Sequence, residues 1–348
     1  MTEEKSFGYE GCTLTVDTSD IDNEVTFAPL EKDEKPIDTC VQDVVPKHGL
    51  VYALAVAAAG RHHVLVYGKD LKGRDFITAK IAQFMPNLLA NEQTSVNRIF
   101  SLAGLTKPNQ KIIQRPFRMP HPTASIEGMC GGGPNCMPGE VSFAHNGVLF
   151  LKDASEFKTS VLQMLRASME SRTITLSRAG RSTTYPADFQ LVMTANPCPC
   201  GNLGSAAFTC LCSAKSIKQY WAKFSAPLLD SISIRYNTNE SVTPMFMGYN
   251  DLRKRVKDAV EKQMKRQGKF NQELTLDEVN QYCKLTDNAQ NSLDLAVTRY
   301  GLSPRAKANI IRLARTVLDL KDGEWDEIGQ PSMEMAIALY GKLPEQAY

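Results

Sequence analysis

Short unbroken apolar runs alternate with segments of helical spacing over the first two thirds of the chain, and helical spacing alone fills the remainder. Leu50-Val51-Tyr52-Ala53-Leu54-Ala55-Val56-Ala57-Ala58-Ala59 predicts a helix closed by Gly60, a residue suited to a helix C-terminus. Three runs predict buried strands: His63-Val64-Leu65-Val66-Tyr67, Gly147-Val148-Leu149-Phe150-Leu151 and Phe189-Gln190-Leu191-Val192-Met193-Thr194. Helical patterns follow the first two, over 76–85, where Pro86 stops the helix, and over 155–171. Strands interleaved with helices predict a parallel α/β sheet. Residues 173–176 and 183–185 flank Arg178-Ala179-Gly180-Arg181 as a β-hairpin. Residues 115–146, rich in Gly and Pro, predict a long irregular insert. The chain divides accordingly into an extension over 1–43, an α/β core over 44–240 and a small all-α domain over 246–348. The extension has no periodic apolar pattern beyond a short strand at Thr13-Leu14-Thr15-Val16.

Charge sharpens that division. The net charge of the 348 residues is +2, yet residues 1–43 carry twelve acids against three lysines, a balance of −9 that leaves +11 on the rest. A basic body with an acidic leader predicts a nucleic-acid partner with the leader competing for the same surface, or simply a solvated face and tail. No apolar run approaches the roughly 18 residues of a membrane span, and Thr2-Glu3-Glu4-Lys5 is unlike a signal peptide. The expected location is the cytoplasm, without a membrane partner. The nine cysteines are odd in number and mostly clustered, which favours metal ligands or reduced thiols over a disulfide framework.

The chemistry centres on the turn after the first strand. Gly68-Lys69-Asp70-Leu71-Lys72-Gly73-Arg74-Asp75 stands where a phosphate-binding G-x-x-x-x-G-K-[ST] loop would open a helix, with both glycines in register. Arg74 replaces the lysine that reaches the β- and γ-phosphates, and Asp75 replaces the hydroxyl that ligates Mg²⁺. A carboxylate there turns negative charge toward phosphate. Lys69, Lys72 and Arg74 nonetheless crowd a loop facing a helix N-terminus, so ATP, ADP or phosphate binding without productive Mg²⁺ is the expectation.

Cys198-Pro199-Cys200 and Cys210-Leu211-Cys212 make two C-x-C pairs nine residues apart. Four thiolates meet the tetrahedral demand of Zn²⁺, although the spacer is tighter than the usual two to four residues, and free thiols are the alternative. Cys130 and Cys136 flank Gly131-Gly132-Gly133, while Cys12, Cys40 and Cys283 belong to no constellation. His62, His63, His121 and His145 lack an acid or second ligand at an informative spacing and are read as structural. Tyr220, Trp221 and Phe224 lie at helical spacing and are assigned to the core.

Several ordered stretches carry a family resemblance from about Val44 to the end: Arg115-Pro116-Phe117-Arg118-Met119-Pro120-His121, Pro138-Gly139-Glu140-Val141-Ser142, Ala144-His145-Asn146-Gly147-Val148-Leu149-Phe150-Leu151, Tyr185-Pro186-Ala187-Asp188-Phe189, Asn196-Pro197-Cys198-Pro199-Cys200-Gly201, Ala226-Pro227-Leu228-Leu229-Asp230 and Leu302-Ser303-Pro304-Arg305-Ala306. They resemble the AAA+ ATPases of the magnesium-chelatase I subunit and its ComM/YifB relatives. The resemblance implies a P-loop core with a helical lid, and it locates the rest of an ATPase site. The acidic pair after the second core strand reads Lys152-Asp153, so a lysine stands where Mg²⁺ would be organised and the shorter aspartate where the general base belongs. Ser231 holds the arginine-finger position, and Pro46-Lys47 the place of the Gly-Gln beneath the adenine. Only sensor 1, Asn196, and sensor 2, Arg305, keep the family residue type.

An arginine finger alone is worth roughly 10³-fold or more in rate. The combined losses therefore imply a pseudo-ATPase with no residue of the catalytic set complete, acting as a scaffold or regulatory subunit in a homo-oligomeric ring or filament, or with an active AAA+ paralogue. An ATP-driven motor on DNA and a metal-chelatase subunit are the alternatives. In the family fold the positions of Asp75 and Lys152 adjoin, which predicts a salt bridge in place of the metal. The hairpin before sensor 1 faces the pore of related rings, so Arg178 and Arg181 are candidates to touch a polymer.

Overall fold

A computed structural model describes residues 25–27, 48–68, 73–107, 110–178, 181–205, 208–239 and 248–341, with only the backbone of His48 and Arg181. The expected strand at 13–16, Pro46-Lys47, Cys12, Cys40, Lys69 and Lys72 lie outside the described residues.

Helix α1 (His48–Gly60) is apolar on all sides, and residues 53–59 are fully buried, as suits a helix enclosed by a sheet and other helices. It leads to β1 (Val64–Tyr67) and, after the glycine loop, to α2 (Arg74–Ala79). The expected helix over 76–85 starts earlier and tightens to a 3-10 turn at Lys80–Phe84. Met85 is extended at φ −80°, ψ 128°, as its position before Pro86 requires. α3 (Ala90–Leu102) follows.

The insert is ordered rather than irregular. It contains β2 (Phe117–Arg118), α4 (Ile126–Cys130), the antiparallel pair β3 (Gly131–Gly132) and β4 (Met137–Pro138), and α5 (Glu140–Phe143). Elements this short show no sequence period. They are held by distant partners: Tyr185 Oη donates to the Cys136 carbonyl at 2.9 Å, and Arg118 pairs with both Glu140 oxygens at 2.7 Å.

Next come β5 (Val148–Leu151), α6 (Thr159–Ser171), the hairpin β6 (Thr173–Arg178) with β7 (Arg181–Pro186), β8 (Gln190–Ala195), α7 (Ala214–Ala222), α8 (Ala226–Asp230) and β9 (Ile234–Asn237). The expected helical start at 155 is a 3-10 turn, Ala154–Glu156, before α6 begins. β2, β5, β8, β1 and β9 make one five-stranded, wholly parallel sheet in that order. Its strands are buried on both faces, which is why they read as unbroken apolar runs. Side chains alternate between two cores: Val64 and Val66 face α1 and the C-terminal helices, while Leu65 and Tyr67 face α6 and α7.

The C-terminal part is α9 (Tyr249–Gln267), α10 (Leu276–Tyr282), β10 (Lys284–Leu285), α11 (Asp287–Tyr300), α12 (Pro304–Asp319), β11 (Glu327–Ile328) and α13 (Gln330–Tyr340). β10 and β11 form a small parallel pair within a region whose pattern predicts helices only. Val256, Leu313 and Leu339 share one apolar core with α1 and β1. Part of the acidic extension is anchored as well: Val25 is buried, the Thr26 carbonyl accepts from Asn87 N at 2.7 Å, and Phe27 lies under the Arg253 guanidinium at 4.7 Å. None of the described helices is long and apolar enough to cross a membrane.

Candidate functional site

The carboxyl ends of β1, β5 and β8 converge on one place. Gly68 and Gly73 bracket the loop at φ 127° and 110°, conformations that side chains resist, so both glycines of the motif are demanded by the backbone itself. Arg74 then decides what the site can do. Its guanidinium is 2% exposed and turned inward. Nη1 donates to the carbonyls of Gly68 at 2.8 Å and Ala195 at 2.7 Å and to Asn196 Oδ1 at 3.3 Å, Nη2 to Asp153 Oδ1 at 3.2 Å, and Nε to Asp75 Oδ1 at 2.9 Å. One planar cation therefore ties together the ends of three strands and both carboxylates. Arg74, expected to face phosphate, here directs these donors to acceptors of the chain itself.

Lys152 Nζ reaches Asp75 Oδ2 at 3.8 Å, the pairing expected, but Lys152 is 54% exposed and the tighter partner of Asp75 is Arg74. Asp153 sits at φ 49°, a left-handed conformation, with its amide held by Thr194 Oγ1 at 3.1 Å. Burial, reinforced by the neighbouring Asp75, pushes its carboxyl up from the usual aspartate value. Asn196 and Asp153 thus join Gly68, Gly73, Arg74 and Asp75 in one cluster.

Ser231 and Arg305 lie elsewhere. Both border a cleft of about 450 Å³ beside His63 and Asp188, at the amino ends of β1 and β8, the opposite edge of the sheet. Arg305 pairs with Glu170 at 2.9 Å, and the Ser231 hydroxyl donates back to the Pro227 carbonyl at 3.0 Å. Arg178 is exposed and faces Arg181 in the last register position of the hairpin.

The cysteine loop departs directly from β8. Tyr220 Oη donates to the Asn196 carbonyl at 3.0 Å and Trp221 Nε1 to the Pro197 carbonyl at 3.1 Å, which fixes the start of the loop on α7. Tyr220 is half-buried and Trp221 and Phe224 fully buried, as core residues. The sulfurs of Cys198, Cys200, Cys210 and Cys212 all lie within 4.8 Å of one another. Sγ of Cys198 is 3.4 Å from Cys200 and 3.7 Å from Cys210, and Cys200 and Cys210 are also 3.7 Å apart. Four sulfurs at ~2.3 Å from a tetrahedral Zn²⁺ stand roughly 3.8 Å from each other. The donor set therefore fits such an ion, and this four-cysteine cluster could hold a metal such as zinc. The backbone N–H of Asn202 and the neighbouring thiols lower Cys200 to about 6, while the shared protons push Cys210 up to about 12 and raise Cys212 as well.

A buried ionic network went unread in the sequence. Arg115 makes a bidentate pair with Glu92 at 2.9 and 2.7 Å, and Arg61 reaches Glu273 at 3.0 Å, Asp188 at 3.6 Å and Glu92 at 3.7 Å. Both guanidiniums lie about Phe270, at 5.3 and 5.4 Å. Burial would raise the Glu92 carboxyl, but Arg115 holds it below the usual range. Burial likewise opposes the Arg61 charge, and Asp188, Glu273 and Glu92 more than restore it. Arg115 and Asp188 both stand in the ordered stretches quoted above, which was the available signal.

Residues 40–244 match the family described as magnesium chelatase, subunit ChlI, and residues 249–339 match its C-terminal region. The chain belongs to the magnesium-chelatase ChlI family. Its parallel sheet, with a glycine loop after β1, is the AAA+ arrangement of that family. The protein YifB of Escherichia coli is 33% identical over 304 residues, 85% of this chain and 60% of that protein. Competence protein ComM of Haemophilus influenzae is 34% identical over 303 residues, 85% of this chain and 58% of its own length. An uncharacterized protein of Mycobacterium tuberculosis is 39% identical over 195 residues, 56% of this chain and 38% of its own. The chain thus spans about three fifths of the first two relatives. Like the ChlI family, it pairs an α/β core with C-terminal helices.

Proposed function

We propose that this ChlI-family chain is a pseudo-ATPase that serves as an oligomeric scaffold or regulatory subunit, assembled with itself in a ring or filament or with an active AAA+ paralogue. The observation that supports this reading most directly is the inward Arg74 guanidinium, whose donors are committed to Gly68, Ala195, Asp75 and Asp153. A fixed cation in that position takes up the carboxylates that would organise Mg²⁺, and Lys152 adds a second positive charge at the same edge. ATP or ADP would then associate through the loop amides alone, without a productive metal and without a base positioned on water. Arg178 and Arg181 at the hairpin end would offer phosphate contacts if the assembly encloses a nucleic acid.

The test is phosphate release by the purified chain with ATP and Mg²⁺, alone and with DNA. Turnover at least about 10³-fold below that of working AAA+ enzymes is expected. Robust Mg²⁺-dependent release would instead establish a motor on DNA or a chelatase-type ATPase.

We further propose that the four cysteines hold structural zinc. The purified chain should contain about one zinc per chain, and chelation should lower its thermal midpoint because the energy of metal binding is also folding energy. Double substitution of Cys198 and Cys210 by serine should abolish the bound zinc. Four freely alkylated thiols and no change on chelation would refute the assignment.

A further inference from the structure

The C-terminal helices carry a second candidate site, remote from the glycine loop. A groove of about 850 Å³, within the usual ~300–1,000 Å³ of ligand pockets, runs between α12, β10 and the turn before β11. Its floor is cationic. Arg315 is 5% exposed, its Nη1 donates to the Asp326 carbonyl at 3.2 Å, and its Nε has no hydrogen-bond partner. The acid nearest to it, Asp319, lies 3.4 Å from Nε and already receives Arg266 at 2.8 and 2.9 Å and Asn271 at 2.9 Å. One carboxylate cannot neutralise two guanidiniums. Lys321 donates to the Ser332 hydroxyl at 2.9 Å, a neutral partner, and among the described residues neither Lys321 nor the exposed Lys284 meets a carboxylate within 4 Å. Burial depresses both Arg315 and Lys321, opposed at Arg315 by Asp319 and Asp326. Two exposed acids, Asp326 and Glu327, border the rim.

Trp325 lines the same groove with 55% of its surface open. It is not loose: its indole N–H donates to the Asp322 carbonyl at 2.9 Å. A fixed, exposed indole beside undersatisfied cations suits a ligand that is flat at one end and anionic at the other. We propose that this groove binds a phosphate-bearing nucleobase unit, stacked on Trp325 with its phosphate on Arg315, Lys321 and Lys284. A free mononucleotide and a single-stranded nucleic acid supply the same chemistry. The inference stands apart from the state of the glycine loop.

Tryptophan emission reads the site directly. The chain has two tryptophans, and Trp221 is buried against Tyr67 with ring centroids 5.5 Å apart, so Trp325 is the one a ligand can reach. Titration of the full chain with AMP, and separately with oligothymidylate, should give saturable quenching. AMP alone acting points to the free nucleotide, and oligothymidylate alone to the single strand. Lys284→Glu and Lys321→Glu, surface changes checked by an unaltered melting midpoint, should each weaken binding about tenfold. Trp325→Ala should weaken a fluorescently labelled oligothymidylate or AMP by about tenfold in anisotropy. Binding at the glycine loop would ignore all three changes. The proposal is overturned if neither probe quenches, if quenching survives both charge reversals, or if inorganic phosphate binds as tightly as AMP.

Discussion

Replacing Arg74 with alanine is expected to cost about 3 kcal/mol of folding stability, read as a lower urea midpoint at unchanged slope. That figure is the lower end of the roughly 3–5 kcal/mol for removing one member of a buried ion pair. It is kept low because Asp153 is 36% exposed and water can partly replace the lost donor there. The alanine variant leaves Asp75 and Asp153 as neighbouring carboxylates without their common cation, and the Gly68 and Ala195 carbonyls without theirs. Arg74→Lys should recover only part of the loss, since an ammonium cannot span the same acceptors as a planar fork. Neither variant should gain ATP turnover, because Lys152 and Ser231 remain. A loss under about 1 kcal/mol for the alanine change would show that the guanidinium is not the clasp of this site.

Acidification from pH 7 to pH 5 is expected to remove about 4 kcal/mol of stability through two histidines. Burial lowers His62 to about 3 and His145 to about 4, against 6.5 for the free side chain. Nδ1 of His145 accepts the Asp188 backbone N–H at 3.2 Å, a bond that only the unprotonated nitrogen can make. A depressed histidine contributes its full stability above the unfolded value of 6.5 and loses it as the pH falls toward the folded value. At pH 5 each therefore gives up about 1.5 units, or roughly 2 kcal/mol. His63 is also lowered by burial, to about 4, but it borders the open cleft and is left out of the sum. Arg115 and Arg61 overcome burial to hold Glu92 and Asp188 below the usual carboxylate range, so those groups stay ionised through this window. Burial raises Glu273, and a raised carboxyl shifts stability in the opposite sense to the histidines. Urea midpoints at pH 7, 6 and 5 give the slope. Substitution of both His62 and His145 by glutamine should flatten it, and a slope unchanged in that variant would rule these histidines out as its source.

What could be read in advance follows from length and period. The unbroken runs 64–67, 148–151 and 190–195 gave away a doubly covered parallel sheet, because strands buried on both faces admit no polar alternation. The glycines at 68 and 73 gave away the loop, and the paired C-x-C spacing gave away the convergence of four sulfurs. β2 was illegible, since two residues carry no period and its place is set by pairing Phe117 with Val148. Val25 and Phe27 were hidden for a similar reason: two anchoring residues in an acidic stretch form no pattern. The inward turn of Arg74 depends on acceptors 79 to 121 positions away, at Asp153 and Ala195, which no local reading supplies. The same holds for Arg61, whose acidic partners Glu92, Asp188 and Glu273 are gathered from three separate segments.

The position of Arg74 also constrains how such a chain could change over time. Its five donors reach acceptors contributed by the loop, by Asp75, by Asp153 and by the end of β8, so the effect of altering any one of them depends on the others. A lone swap of Lys152 to aspartate would add a third carboxylate beside Asp75 and Asp153 before any metal could compensate it. If the chain is the pseudo-ATPase proposed, recovery of nucleotide chemistry would therefore face epistasis, since these charges are coupled to one another.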